Sequence, residues 1–147
     1  MRAPFTDLYV HLVWTTWDRL PLITPAVKEP LAAAILAKCR QLGAVPIAIG
    51  LMPDHAHVLV KLPPTLPVSD LAKEVKGASS HLVNHLPQRD AAFKWQGAYG
   101  AFTLARDGVP AVKEYIGNQE RHHGGGSVVE GWERGFTWVE PGMTAGN

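Results

Sequence analysis

The sequence predicts an α+β protein, an antiparallel sheet with helices on one face, ordered β-α-β-β-α-β and followed by one more helix. Three observations carry this. Several short stretches alternate with a period of two, two longer ones place apolar residues on helical stripes, and turn-forming residues fall between the stretches.

The first strand is expected over Phe5 to Thr16, where Leu8, Val10, Leu12 and Trp14 alternate with Tyr9, His11, Val13 and Thr15. Pro21 and Pro25 punctuate a loop. Thr24 can then cap a helix running to about Gln41, with Leu31, Ile35, Cys39 and Leu42 on one stripe and Gly43 ending it. A second strand is expected over about Ala44 to Leu51. The turn Met52-Pro53-Asp54 feeds a third strand from His55 to Leu62, and the two pair as a hairpin. After the loop Pro63 to Pro67, Ser69 can cap a helix with the stripe Leu71, Val75, Ala78, Leu82 and Leu86, stopped by Pro87. Tyr99 to Leu104 reads as the fourth strand. Asp107 and Pro110 open a last helix expected to end at Gly124 to Gly126. This order is the ferredoxin-like split βαβ arrangement with an added helix, and it makes the first and third strands central neighbours. One sheet face is left open, and function is expected there.

A length of 147 residues fits one domain, taken as residues 1–126, with a tail at 127–147. With 46% hydrophobic and 18% charged residues, the chain has the composition of an ordinary globular protein and not of a disordered one. Its longest apolar run, Leu31 to Ala37, is too short for a bilayer, and Pro4, Asp7 and His11 interrupt any secretory start, so a cytoplasmic location is expected. Cys39 is the only cysteine, which excludes an intramolecular disulfide and a cysteine-based zinc site. A net charge of +1 gives no footprint for duplex DNA, so any nucleic-acid contact must be local. The small basic excess lies in residues 61–121, and the tail is acidic.

On the third strand His55 and His57 are two apart and face the same side, while Ala56, Val58, Val60 and Leu62 face the helices. Their backbones lie about 6.6 Å apart, close enough for both imidazoles to lean onto one metal ion. His11 on the neighbouring strand can face the same way. A His-x-His pair alone is a weak signal, because two ligands are an incomplete shell. The last helix strengthens it, since Tyr115, Gln119 and His122 share one stripe, about 85° around from Val109, Val112 and Ile116. A Gln amide oxygen suits a hard or borderline cation as third ligand. Tyrosine is a weak nucleophile at neutral pH because its pKa is about 10, and a metal that polarises a phosphate compensates without a strong base. The natural electrophile is a phosphodiester. A covalent phosphotyrosine would conserve the bond energy for rejoining, so no nucleotide cofactor is expected, and the sequence holds no Gly-rich phosphate loop.

These residues resemble the single-tyrosine HUH transposases of the insertion-sequence TnpA type and their REP-associated relatives. The matching stretches are Tyr9 to Ile23, Met52 to Val60, Leu71 to Asn84, Trp95 to Leu104 and Tyr115 to His123, in the family's order over most of residues 5–123. The resemblance implies that His55, His57 and Gln119 hold Mg²⁺ or Mn²⁺ and that Tyr115 attacks single-stranded DNA, giving a 5′-phosphotyrosine and a free 3′-hydroxyl. It also implies a homodimer whose tyrosine helix can dock on the partner's histidine pair, and a substrate with imperfect hairpins. Two features depart from the family pattern. Ala56 is smaller than the Val or Ile usual between the histidines, and the acidic tail lacks the basic extension of REP-associated relatives, which leaves a domesticated relative open beside a mobile-element enzyme.

Candidate DNA contacts are Arg19, Lys73, Lys76 and Lys94, with Trp95 and Tyr99 as possible stacking or packing aromatics. A histidine-triad hydrolase is disfavoured because Leu59 stands where its third histidine would be, and a cupin-like site because Val58 to Leu62 lacks a carboxylate. The alternative from another class is a non-catalytic binder of single-stranded or hairpin nucleic acid. An open sheet of that kind shows aromatics on its central strands, and here His55, His57 and Leu59 stand there instead.

Overall fold

β1 (Leu8–Thr15), β2 (Val45–Met52), β3 (His55–Leu62) and β4 (Gly100–Leu104) form one antiparallel sheet in the order β2-β3-β1-β4. The computed structural model describes residues 3–87 and 92–118. Its helices are α1 (Pro25–Gln41), α2 (Val68–Asn84) and α3 (Val109–Gly117). The expected mixed α+β order is present, with β1 and β3 central. Their residues explain that position, since both strands are buried on both faces, whereas β2 contains Pro46, which has no N–H to donate and suits an edge.

The main core lies between one sheet face and α1 and α2. Val10, Leu12 and Trp14 from β1 and Ala56, Val58, Val60 and Leu62 from β3 meet Val27, Leu31, Ile35 and Cys39 of α1 and Leu71, Val75 and Val83 of α2. Burial pushes the Cys39 thiol up to about 11, so it packs as an inert apolar group. Gly43, at φ +84°, provides the left-handed residue after α1 from which the chain turns into β2.

Several expectations are corrected in detail. β1 begins at Leu8 and not Phe5, because Leu8 already pairs with Leu62, the last residue of β3, and Pro63 follows. Phe5 is 84% exposed. Thr24 holds the N-cap position of α1 through its backbone carbonyl, without a side-chain cap, and α2 starts after Pro67, which places Ser69 inside the first turn. The buried stripe of α2 is Leu71, Ala72, Val75, Ser79 and Val83, and Leu82 is exposed. Ser79 is tolerated inside because its hydroxyl donates to the Val75 carbonyl at 2.7 Å and accepts Trp95 Nε1–H at 3.0 Å. α3 closes at Gly117 with Asn118 as C-cap, two residues that favour helix ends. The glycines at 124–126 and the tail 127–147 lie outside the described residues.

α3 takes the sheet face opposite α1 and α2, packing across β2 and β3. Val112, Tyr115 and Ile116 form a second, smaller cluster with Leu59, flanked by Ile47, Ala48, Leu104 and Val109. The face expected to be open is therefore partly roofed by α3. No described helix is long and apolar enough to cross a membrane.

Candidate active site at the histidine face

The site grows from the two central strands. His55 opens β3 directly after the Pro53-Asp54 turn, and His57 follows two residues on, so both side chains leave the sheet on the α3 side. β1 pairs Val13 with His57 and His11 with Leu59, which sets His11 diagonal to His57 on that face. His11 Nε2 and His57 Nδ1 are 2.8 Å apart, with ring centroids at 5.0 Å and planes inclined by 27°. The His55 and His57 rings stand edge-on at 5.3 Å. From above, α3 brings Tyr115 edge-on to His57 with centroids 5.8 Å apart. Tyr115 is 3% exposed, His55 2%, His57 0% and His11 2%, so the four groups share one desolvated place. Gln119 and His122 lie outside the described residues.

Asp54, read from sequence only as a turn residue, is part of this arrangement. Its Oδ1 lies 2.8 Å from His55 Nδ1, and its Oδ2 accepts Arg19 Nε–H and Nη2–H at 3.1 and 3.0 Å. Burial alone raises the Asp54 pKa, but the hydrogen bonds and charges of His55 and Arg19 outweigh it and hold the carboxyl below the usual range. An ionised carboxylate only accepts, so His55 carries its hydrogen on Nδ1. The sequence signal was the placement of Asp54 immediately before the His-x-His pair.

Burial pulls His11 down to about 4, which keeps it neutral at physiological pH. The unfolded chain, with imidazole near 6.5, takes up this proton first as the pH falls. The stability contributed by neutral His11 is therefore complete above about pH 6.5 and is lost as the pH drops toward about 4. The loss amounts to about 3 kcal/mol. Urea denaturation at several pH values across that window checks it, and His11→Gln, which cannot titrate, is expected to flatten this part of the profile.

The other sequence candidates fall in different places. Arg19 sits on the site's rim through Asp54, in a 3-10 turn (Trp17–Arg19) where Asp18 and Arg19 both have φ of 52°. Two consecutive non-glycine residues in the left-handed region mark a strained backbone. Trp17, missed in the sequence, is 44% exposed, with Lys94 Nζ 3.8 Å from its ring centroid. Lys73 and Lys76 lie on α2, in the layer on the far side of the sheet from the histidines, and the structure does not bring them to this face. Lys76 Nζ donates to the Gln96 and Ala98 carbonyls at 2.6 and 3.2 Å, tying α2 to the segment before β4. Trp95 is buried between Trp14 and Phe93, and Tyr99 packs half-buried on the core, so both aromatics pack and neither is presented to stack on a base.

The donor set fits a divalent cation. Both histidines place Nδ1 against a partner within the protein, His55 against Asp54 and His57 against His11, so Nε2 is the nitrogen each would turn to a cation. Among the described residues no three His, Cys, Asp or Glu side chains converge on one point. Residues 4–119 match the family described as IS200-like transposases. The chain belongs to that family. It is similar to the ISDra2 transposase TnpA of Deinococcus radiodurans, 26% identical over 118 residues that cover 77% of this chain and 84% of the relative. Among solved structures it is similar to a candidate transposase from Deinococcus radiodurans R1, with 26% identity, a TM-score of 0.63, and coverage of 81% of this chain and 95% of that one. It also shares its fold with a REP-associated tyrosine transposase bound to a REP hairpin, at 19% identity and a TM-score of 0.61, covering 87% and 74% of the two chains. An IS200-like transposase is a DNA-recombining enzyme, and this fold is the one its relatives use.

Proposed function

We propose that this IS200-like transposase cleaves and rejoins single-stranded DNA through Tyr115, with His55, His57 and Gln119 holding Mg²⁺ or Mn²⁺. The observation that carries the reading is the seating of the Tyr115 ring on His57 within one buried cluster. The Tyr115 oxygen forms a bond to phosphorus, the P–O3′ bond breaks, and the departing 3′-oxygen takes a proton while the phenol proton is lost. The products are a 5′-phosphotyrosine and a free 3′-hydroxyl, and attack by another 3′-hydroxyl reverses the step on a new strand. The bound metal supplies polarisation of the scissile phosphate. Asp54 holds the His55 ring in orientation.

Entry of DNA to groups this buried requires α3 to lift. It is held in part by the cluster of Leu59, Val112, Tyr115 and Ile116, each buried side chain contributing about 1.5–3 kcal/mol. Arg19, Lys94 and exposed Trp17, gathered at the rim beside Asp54, are the groups we assign to the adjoining unpaired strand. Lys73 and Lys76 could contact only a strand that wraps to the helical layer. An imperfect hairpin substrate is supported by the neighbour bound to a REP hairpin, and a homodimer in the cytoplasm by the family resemblance.

The test is to incubate the chain with Mn²⁺ and a labelled single-stranded oligonucleotide from the DNA flanking its own gene, hairpins included, and run a denaturing gel. A slow band that survives denaturation and vanishes with excess chelator is expected. A native-gel shift with no covalent band in either metal would favour the non-catalytic hairpin-binding alternative.

A further inference from the structure

We propose that His11 is a positioning residue for the metal site, fixing by its Nε2 lone pair the tautomer of His57 that keeps the His57 Nε2 lone pair available to the cation. The inference rests on the reading of His57 as a metal ligand. One proton lies on the line between His11 Nε2 and His57 Nδ1, which are 2.8 Å apart. It can belong to either ring. If His11 donates it, neutral His57 carries its own hydrogen on Nε2 and cannot ligate. If His57 donates it, Nε2 keeps its lone pair, and His11 serves as the acceptor. A cation on Nε2 makes Nδ1–H a stronger donor, so metal binding and the His11 hydrogen bond reinforce each other.

The surroundings explain why an imidazole stands at this position. His55 is oriented by a carboxylate, Asp54, but Asp54 lies at the half-exposed rim where Arg19 balances its charge. His11 is 2% exposed on a central strand, between Phe102 on β4 and Leu59 on β3, where its ring and hydrogen-bond partners among the described residues include no cation. An ionised carboxylate buried there would be strongly disfavoured by the loss of its hydration. A neutral imidazole supplies an acceptor without that charge, and its stacking at 27° also sets the plane of the His57 ring.

The experiment measures Mn²⁺ binding to the full chain by calorimetry, without DNA, for the unaltered protein, His11→Phe and His11→Gln. Phe keeps the flat ring and removes the acceptor, whereas the Gln side-chain oxygen reaches about as far as the histidine Nε2 and restores it. A loss of about 10–100-fold in affinity is expected for His11→Phe, with recovery to within about threefold in His11→Gln. A purely packing role would leave the affinity of His11→Phe unchanged, and that result would overturn the proposal. Nitrogen-15 NMR of the metal-free, unaltered chain gives a second readout that needs neither variant to fold. His57 is expected as the Nδ1–H tautomer, and Nε2–H would overturn the proposal by itself. Absence of Mn²⁺ binding in the unaltered chain, with His57 still held as Nδ1–H, would instead overturn the metal reading of the histidines and leave the hold of His11 over His57 standing.

Discussion

Tyr115→Phe is expected to abolish the covalent protein–DNA adduct, a loss of about 10⁴-fold or more in cleavage, while DNA binding is retained. The substitution removes one oxygen and nothing else. The phenyl ring keeps its edge-on contact with His57 and its place beside Val112 and Ile116, so stability changes by less than about 1 kcal/mol. Denaturing gels report the adduct, native gels the binding, and urea denaturation the fold. An undiminished adduct in this variant would remove Tyr115 from the mechanism.

His57→Ala carries the second large effect, because it acts on two levels. It deletes a proposed metal nitrogen, and cleavage is expected to fall about 10³-fold or more in Mg²⁺ or Mn²⁺. It also empties a fully buried position and leaves His11 Nε2 facing the gap, at a stability cost of about 2–3 kcal/mol that a domain of this size tolerates. Cleavage assays and urea denaturation separate the two effects. Full cleavage by a folded His57→Ala chain would contradict the assignment of this histidine.

Much of this site was legible in the sequence because strand periodicity is local. Once β1 and β3 are neighbours, a period of two is enough to put His11, His55 and His57 on one face and Ala56, Val58 and Val60 on the other. α1 was similarly readable, since Pro25 and Gly43 mark its ends by backbone geometry alone. What escaped depends on partners distant in sequence or on ambiguous residue roles. The inward turn of Ser79, and with it the exposure of Leu82, follows from a hydrogen bond with Trp95 sixteen positions away. The stripe on α3 shows which residues seek cover but not which sheet face covers them. Asp54 was masked because an Asp after Pro reads first as a turn residue. The strained turn at Asp18 and Arg19 has no glycine to announce it, and its side-chain bonds to Asp54 and Gln96 appear only in three dimensions.

Of the chain's three tyrosines, one is expected to become covalently joined to DNA. The most direct measurement is mass spectrometry of the protein after reaction with Mn²⁺ and a hairpin-bearing single-stranded oligonucleotide, followed by nuclease and protease digestion. A nucleotide phosphate is expected on the peptide that contains Tyr115, attached through the phenolic oxygen. A nucleotide on Tyr9 or Tyr99, or no modified tyrosine although the oligonucleotide is cleaved, would contradict it.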